Sequence, residues 1–492
     1  MKTISEILSF LNIPIHNSDL DHITIIDLSQ SSTEMLSDWA FLALKGSTYN
    51  GVDYIDNAII NGATLILVDQ ADQCKELYRG IPIFYIPQLK TKMGAFVPWF
   101  YDNISKYKTL VGVTGTNGKS SICHLFAQIS YELSKKIFVM GTLGYGIWPT
   151  LKSSERTTND TVTIQRELYK NKENYDIAIL EISSHALVQD RVSDLNVKIA
   201  VWSNLSHDHL DYHQNMEAYY QAKKKLFIKN SITTAIINMD DKYGLRLYSE
   251  LITDKPNIKI LTYSSLYLSS VIISGANLSL NGLRATITYN NCSHQIQCPL
   301  LGNFNSSNIA AISTLCFELK YDFFWKKFNN LQSVSGRMQL LKLSETSPKV
   351  IIDYSHTPDA LQKALESIKI LNVGKIWCVF GCGGNRDKSK RALMGQVAQE
   401  YSDQIILTED NPRDEDSKLI IKDIIGNFDS SQFKILYSRK EAIEYALCHA
   451  NTIDVILIAG KGHEQYQESR GIKQYFSDVE VVKNYENWSS IR

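Results

Sequence analysis

The stretch TLVGVTGTNGKSS, residues 109–121, constrains the fold of this chain more than any other. An apolar run leads through Gly112, Gly115 and Gly118, spaced three apart, directly into Lys119 and Ser120. Glycines let backbone N–H groups curl around a polyphosphate, a lysine adds a point charge, and the N-terminus of a following helix favours anions. The common phosphate loop has its first glycine six residues before the lysine, whereas Gly112 stands seven before Lys119. That physics is unaffected by the extra residue. Strand, loop and helix signals fall where nucleotide binding needs them. ATP is therefore the expected ligand of Gly115, Thr116, Asn117, Gly118, Lys119, Ser120 and Ser121, with Ser120 a candidate magnesium ligand. The alternative is a glycine-rich turn with an exposed lysine.

The rest of the chain has the rhythm of an α/β protein, with apolar runs that end in Gly, Ser, Asp or Asn. In residues 1–105, WAFLALKG and ATLILVDQ read as strands around a helix, and VPWFYDNISKYK reads as a boundary. Residues 106–332 hold strand candidates at TLVGVTG, KIFVMG, YDIAILEIS, KIAVWSNLS and TTAIINMDD. Residues 333–492 add KVIIDYS, KIWCVFGCGG, QIILTEDN and DVILIAGKG, each an apolar strand followed at once by small or charged residues. That pattern is expected where the carboxyl ends of parallel strands form a ligand crevice. A length of 492 residues, 44% apolar, suits about three domains. Lys plus Arg number 51 against 52 Asp plus Glu, so no basic excess favours nucleic acid and a small-molecule partner is expected. Eight scattered cysteines without a CxxC pair fit reduced thiols better than a disulfide scaffold or zinc site. The N-terminus MKTISEILSFLNIPIHNS reads as a short amphipathic helix, and no stretch of about 18 uncharged apolar residues occurs. Secretion and membrane spanning are thereby disfavoured, and the cytoplasm is the expected location.

In this order, GVTGTNGKSS, LEISSHAL, SNLSHDHLDYH, LGNFNSSN, SGRMQ, DYSHTPDAL, GCGGNRDKSKR, DNPR and AGKGHEQYQ cover nearly the whole chain. Together they resemble the Mur ligase family, and within it the members that add the third peptide residue to UDP-MurNAc-dipeptide. The resemblance implies an α/β fold of three domains: a UDP-sugar-binding domain (1–105), a central P-loop ATPase domain (106–332) and a C-terminal Rossmann-like domain for the incoming amino acid (333–492). It also implies the chemistry of peptidoglycan precursor synthesis. A carboxylate does not react with an amine at neutral pH, so such ligases transfer the γ-phosphoryl of ATP onto it. The amine then attacks the acyl-phosphate, giving an amide, ADP and phosphate. Charge neutralisation is the central task.

Lys119, Glu181, His209 and Lys223 carry the catalytic roles that the resemblance implies. Glu181 ends the strand YDIAILE as a magnesium-binding acid, and His209 in HDHLD matches a second-metal ligand. Read bare, Lys223, Lys224 and Lys225 form a solvated basic turn. The resemblance singles out Lys223 as the lysine carbamylated by CO2 to N6-carboxylysine, which helps position the metal on the γ-phosphate, with Lys224 as the register-slip alternative. Magnesium is thus assigned to Ser120, Glu181, His209 and carbamylated Lys223. Asn305 and Asn308 in LGNFNSSN match positions near adenine, Arg337 in SGRM would reach the phosphates, and Asp353 in VIIDYSH lies near the ribose. Turn caps and a surface arginine are the plain alternatives.

DNPR (Asp410, Asn411, Pro412, Arg413) resembles the form found in ligases that use meso-2,6-diaminopimelate. Diaminopimelate differs from lysine by a distal carboxylate, and an arginine offers it planar bidentate recognition. Arg386, Gly460 and Glu464 match the other amino-acid contacts, Glu464 suiting an ammonium. For the UDP-MurNAc-dipeptide, the resemblance implies Ser32, Thr157, Thr158, Ser183, Gln189 and Arg191. The first domain departs from the family pattern: Ser31, Ser32 and Thr33 replace Asp-Ser-Arg, Ser47, Thr48 and Tyr49 replace His-Gln-Ala, and Arg156 replaces asparagine. The expected substrates are therefore UDP-MurNAc-L-Ala-D-Glu, meso-diaminopimelate and ATP, acted on by a monomer. Other readings are a lysine-adding ligase, a folylpolyglutamate synthetase-like ligase, and a non-catalytic structural relative.

Overall fold

The computed structural model describes residues 1–14, 20, 22–46, 49–70, 77–154, 156–228, 232–341, 343–426 and 433–489. The chain forms two compact units, one of residues 1–112, 135–199 and 225–233, the other of residues 113–134, 200–224 and 234–492.

In the first unit, strands Asp27–Ser29, Trp39–Ala43, Ala63–Val68 and Ile81–Tyr85 pair in parallel in that order, with Leu77–Tyr78 antiparallel at the edge. Parallel strands are covered on both faces, which is why WAFLA and ATLILV read as unbroken apolar runs. Alternate side chains go to opposite cores. Ala40, Leu42, Leu65 and Leu67 pack with helices Ile4–Phe10 and Leu89–Phe100. Phe41, Ala43, Ile66 and Val68 pack with helix Ile55–Ile60. The expected N-terminal helix starts at a capping box, with Thr3 accepting from Glu6 N and Glu6 accepting from Thr3 N. VPWFYDNISKYK begins as the last turn of helix Leu89–Phe100, despite Pro98 inside it, because Val97 and Phe100 are buried in the same core. The same unit holds the parallel strands Ile137–Gly141 and Ile177–Glu181, edged by Gly144–Ile147. Strands Thr109–Thr114 and Val197–Trp202 begin in this unit and end in the other.

In the second unit, Thr234–Asn238, Lys259–Ser264 and Val271–Ser279 run parallel. Val271–Ser279 then turns into an antiparallel meander with Gly282–Tyr289 and Cys292–Cys298. The strands of this meander are absent from the sequence reading, although its turns carry hairpin signals. Asn290 and Asn291 adopt φ of 48° and 62°, the left-handed pair that a two-residue hairpin loop demands.

A six-stranded sheet completes this unit, in the order Gln339–Leu341, Lys349–Asp353, Val455–Ala459, Ile376–Phe380, Gln404–Leu407 and Phe433–Ile435. The first strand is antiparallel and the others are parallel. Its four central strands are the four apolar runs read from the sequence. Their register aligns Asp353 with Ala459 and Phe380 with Leu407, so the small and charged residues after each strand emerge along one edge. The cysteines among the described residues are all free, Cys74 lying outside them. Among those residues no helix is long and apolar enough to cross a membrane.

A buried ion pair ties this layer together. Arg439, at the start of helix Arg439–His449, donates from Nε (2.7 Å) and Nη2 (2.8 Å) to Asp478 and from Nη2 to the carbonyl of Ala459 (3.0 Å). Both side chains are fully buried. Removing one partner would strand the other charge, so Asp478→Ala should destabilise the protein by about 3–5 kcal/mol, read as a lowered urea midpoint at unchanged m-value.

Candidate active site

In the second unit the phosphate loop is built on the carbonyl of Gly115. Lys119 Nζ donates to it (2.9 Å) and to the carbonyl of Thr116 (2.8 Å), and Lys223 Nζ donates to the Gly115 carbonyl from another helix (2.8 Å). The loop needs glycine at two places. Gly118 has φ +88°, and a Cβ there would lie 2.8 Å from Asn308 Oδ1; a Cβ on Gly115 would collide with Ser203 Oγ at 1.8 Å. The end of strand Val197–Trp202 holds the loop's outer side, through Asn117 N to Asn204 Oδ1 (3.0 Å), Thr116 N to Asn204 O (2.8 Å) and Ser203 Oγ to Asn117 O (2.6 Å). Asn204 and Ser203 were missed in the sequence reading, since nothing local marks a residue that braces a loop 87 positions away.

Three consecutive lysines include two with opposite surroundings. Lys223 is buried against the ring of Tyr219, whereas Lys224 pairs with Glu250 (2.9 Å) and Asp254 (3.3 Å) at the helix surface. Burial, and secondarily the charge of Lys119, hold the Lys223 amine well below the ordinary lysine range, against the opposing pull of Asp208. Tyr219 in turn lies 3.2 Å from Thr116 Oγ1. His209, with φ +54°, stands 3.4 Å from the buried Asp208, and His356 approaches the same carboxylate at 3.9 Å. Burial lowers His356 to about 4, so at neutral pH its ring is uncharged.

Asn305 and Asn308 are buried on helix Asn305–Glu318, linked by a 2.8 Å hydrogen bond. Arg337 donates to Ser120 Oγ (3.3 Å) and lies 4.4 Å over the Tyr354 ring. Asp353 is buried, accepting from Met338 N (2.7 Å) and from Ser355. Asp359 accepts from Asn117 Nδ2 (3.1 Å) and Ser206 Oγ (3.2 Å), a contact absent from the sequence reading.

At the edge of the six-stranded sheet, DNPR packs on the segment after Ala459. Asn411 Nδ2 donates to Glu464 (2.9 Å), Gln467 Nε2 to the Asp410 carbonyl (2.7 Å), and Glu468 N to Asn411 Oδ1 (2.9 Å). Pro412 is buried beside it, and Gly460, at φ +113°, leaves room for Asp410, whose Oδ2 would lie 2.5 Å from a Cβ there. Arg413 adopts φ +51° and is held on two sides, by the Gly384 carbonyl (2.8 Å to Nη1) and by Glu468 (3.3 Å to Nε). Its remaining donors are those a planar carboxylate needs. Arg386 is exposed on the neighbouring loop. Burial, then the Asp410 charge, raise Glu464 above the usual carboxylate range, partly offset by Lys461.

The first unit gathers the remaining candidates. Glu181 is buried at its strand end, accepting from Thr142 N (3.0 Å), with Thr142 Oγ1 3.1 Å away and 3.0 Å from Thr157. Thr158 Oγ1 donates to the Glu181 carbonyl (2.7 Å) and accepts from Ser183 N (3.0 Å); Arg191 donates to the Thr158 carbonyl (2.9 Å) and pairs with Gln189. Ser32 is buried, its carbonyl accepting from Asn61 (2.9 Å). Ser31 contacts Thr33 (2.9 Å), Tyr49 and Arg156 are exposed, and Ser47 and Thr48 lie outside the described residues.

Comparison with known proteins matches the chain in three stretches. Residues 23–92 match the family described as "Mur ligase family, catalytic domain", 113–316 the "Mur ligase middle domain", and 336–462 the "Mur ligase, glutamate ligase domain". The chain is 36% identical over 482 residues to a UDP-N-acetylmuramoyl-L-alanyl-D-glutamate–2,6-diaminopimelate ligase of Wigglesworthia glossinidia brevipalpis, covering 95% of this chain and 96% of that one. It is 38% identical over 450 residues to the same-named ligase of Neisseria meningitidis serogroup A, covering 90% and 91%. A solved structure of such a ligase superposes with a TM-score of 0.67 at 33% identity, covering 98% and 99%. A folylpolyglutamate synthase of Mycobacterium tuberculosis shares the fold at 15% identity, with a TM-score of 0.62 over 75% of this chain.

With its ammonium held over the loop carbonyls at the start of helix Lys119–Glu132, Lys119 is placed to offer positive charge to an anion received there. Lys119→Ala should lower nucleotide turnover by about 100-fold or more with the thermal transition retained, as steady-state phosphate release and circular dichroism will report.

Proposed function

We propose, from the premise that this chain belongs to the Mur ligase family, that it adds meso-2,6-diaminopimelate to UDP-MurNAc-L-Ala-D-Glu. The chain is an ATP-dependent amide ligase with the three-domain α/β fold of that family. The observation that carries the amino-acid choice is Arg413, fixed by Gly384 and Glu468, with the carboxyl groups of Asp410 in the same loop and of Glu464 on the segment packed against it. An arginine beside carboxylates suits a distal carbon bearing both a carboxylate and an ammonium. The diaminopimelate ligases that match over nine-tenths of the chain support the same choice.

The reaction runs in two displacements. A carboxylate oxygen of the dipeptide attacks the γ-phosphorus of ATP, the bond to ADP breaks, and an acyl-phosphate forms. The amine of the incoming amino acid then attacks the acyl carbon, and phosphate leaves with the bonding pair as the amine gives up a proton. Lys119, at the first turn of helix Lys119–Glu132, lends charge to the transferring phosphoryl group, and Arg337 adds a second cation that already reaches Ser120. Asn305 and Asn308 serve the adenine end and Asp353 the ribose. Glu464 takes the ammonium of the amino acid and Arg413 its distal carboxylate, with Arg386, Asn411 and Gly460 around them. Thr157, Thr158, Ser183, Gln189, Arg191 and Ser32 serve the sugar nucleotide.

Ser120 and Glu181 each offer the hard oxygen that magnesium takes, and His209 is the second-metal ligand that the family resemblance implies; magnesium, when bound, would neutralise charge on the phosphates. Lys223 fits a carbamate. Its amine is buried, and it already lies against the phosphate-loop carbonyl, so a carboxylated side chain would carry acid oxygens to that place.

The decisive assay supplies ATP, magnesium and UDP-MurNAc-L-Ala-D-Glu, with meso-diaminopimelate and lysine tested side by side. ATP consumption dependent on diaminopimelate is expected, and consumption with lysine alone would overturn the reading. Lys223→Ala should be nearly inactive and partly recovered by small carboxylic acids that occupy the vacated space, while Lys224→Ala keeps most activity; the reverse pattern would move the role to Lys224. Arg413→Ala should weaken diaminopimelate by about 2–4 kcal/mol in transition-state terms, mostly through the apparent KM. Lysine should suffer less, so the preference ratio should shrink by about one to three orders of magnitude in kcat/KM.

A further inference from the structure

Lys461 is a buried cation that the mechanism above does not use. It follows the strand Val455–Ala459, its side chain is wholly inaccessible, and its ammonium donates to Asn411 Oδ1 (3.0 Å) and Glu464 Oε2 (3.3 Å). The Tyr466 ring lies 5.5 Å from the same nitrogen. A buried charge is a poor source of stability, because desolvation consumes most of the Coulombic gain. Its effect here is one of orientation.

The asparagine amide has two chemically different ends. With Lys461 Nζ and Glu468 N both donating to Asn411 Oδ1, the Nδ2 end of Asn411 is turned to Glu464 Oε2. That oxygen thus receives both Lys461 and Asn411. Among the described residues the other, Oε1, meets only the Tyr354 hydroxyl, at 3.5 Å. One oxygen is anchored and the other is left to a ligand.

We propose that Lys461 is a positioning residue of the amino-acid subsite, its buried ammonium fixing Asn411 and one oxygen of Glu464 so that the second oxygen is presented to the ammonium of the incoming amino acid. The inference rests on the assignment of Glu464 made above. It also explains how two half-buried acidic side chains coexist on facing segments. Burial and then the Asp410 charge raise Glu464's affinity for a proton, and a protonated Glu464 would no longer accept the ammonium. The groups facing Glu464 are Asp410, Lys461, Tyr354 and Tyr466, with Arg439 beneath. Of these, Lys461 is the one cation in hydrogen-bond contact with the carboxylate.

Lys461→Met tests this, using whichever of meso-diaminopimelate and lysine supports ATP consumption by the wild type. Failure of the wild type with diaminopimelate thus overturns the substrate reading and leaves the Lys461 comparison to be made with lysine. The apparent KM for the amino acid should rise about tenfold or more at neutral pH, with the KM for ATP within about twofold of wild type. Without the cation Glu464 holds its proton to higher pH, so the acid limb of kcat/KM for the amino acid should move upward. A merely structural role would move neither the limb nor the amino-acid KM selectively. Because Lys461→Met strands Glu464 and can loosen the loop, the same change is made in Glu464→Gln, where no carboxylate is left to strand. There it should alter the amino-acid KM less than about threefold. An unchanged amino-acid KM and acid limb in Lys461→Met, or an undiminished effect of that change in the Glu464→Gln background, would overturn the proposal.

Discussion

The carbonyl of Gly115 accepts from two lysine side chains at once, Lys119 at 2.9 Å and Lys223 at 2.8 Å, and the loop of residues 115–118 is arranged around that point. Burial and the neighbouring charge of Lys119 both disfavour a charged Lys223, which is why its amine is held well below the ordinary lysine range. The arrangement is sustained by packing on every side. Ser203 fills the space a Cβ on Gly115 would need, Asn308 does the same for Gly118, and Tyr219 covers Lys223. A loop braced in this way around one lysine ammonium is preorganised, so a polyphosphate received there would meet donors already in place.

The six-stranded sheet solves a different problem with the same device. Parallel strands bring their carboxyl ends to one edge, and the backbone there turns away before its polar groups are paired. Asp353 ends one such strand, and the Gly381–Gly384 run, DNPR and the segment from Gly460 to Glu468 follow the others. Their side chains therefore find one another across sequence distances of about fifty residues, as Asn411 and Lys461 do. Arg413 illustrates the cost of the arrangement. A non-glycine residue at φ +51° is strained, and it is kept there by backbone bonds to Glu468 and Arg470 on the adjoining hairpin.

Much of this was legible in the chain. Unbroken apolar runs reveal doubly covered parallel strands, because both faces demand apolar side chains, and every strand expected on that basis is present. The antiparallel meander of residues 271–298 was not legible as strands. One face of it is exposed, so runs such as LRATITY and CSHQIQC mix polar and apolar residues and lack that signal. The phosphate loop announces itself because its chemistry is local: glycines, lysine and helix start lie within a few residues of one another.

By itself the sequence determined the α/β character, the phosphate loop and the run of motifs that place the chain among the Mur ligases, since each is written in contiguous residues. Only the tertiary structure decided which lysine of 223–225 turns inward, which residues brace the loop from a strand 87 positions away, and that Lys461 lies under Asn411. The physical reason is common to all three. A side chain's surroundings are set by what the fold packs against it, and for Lys223 the deciding contact is a carbonyl 108 residues earlier in the chain.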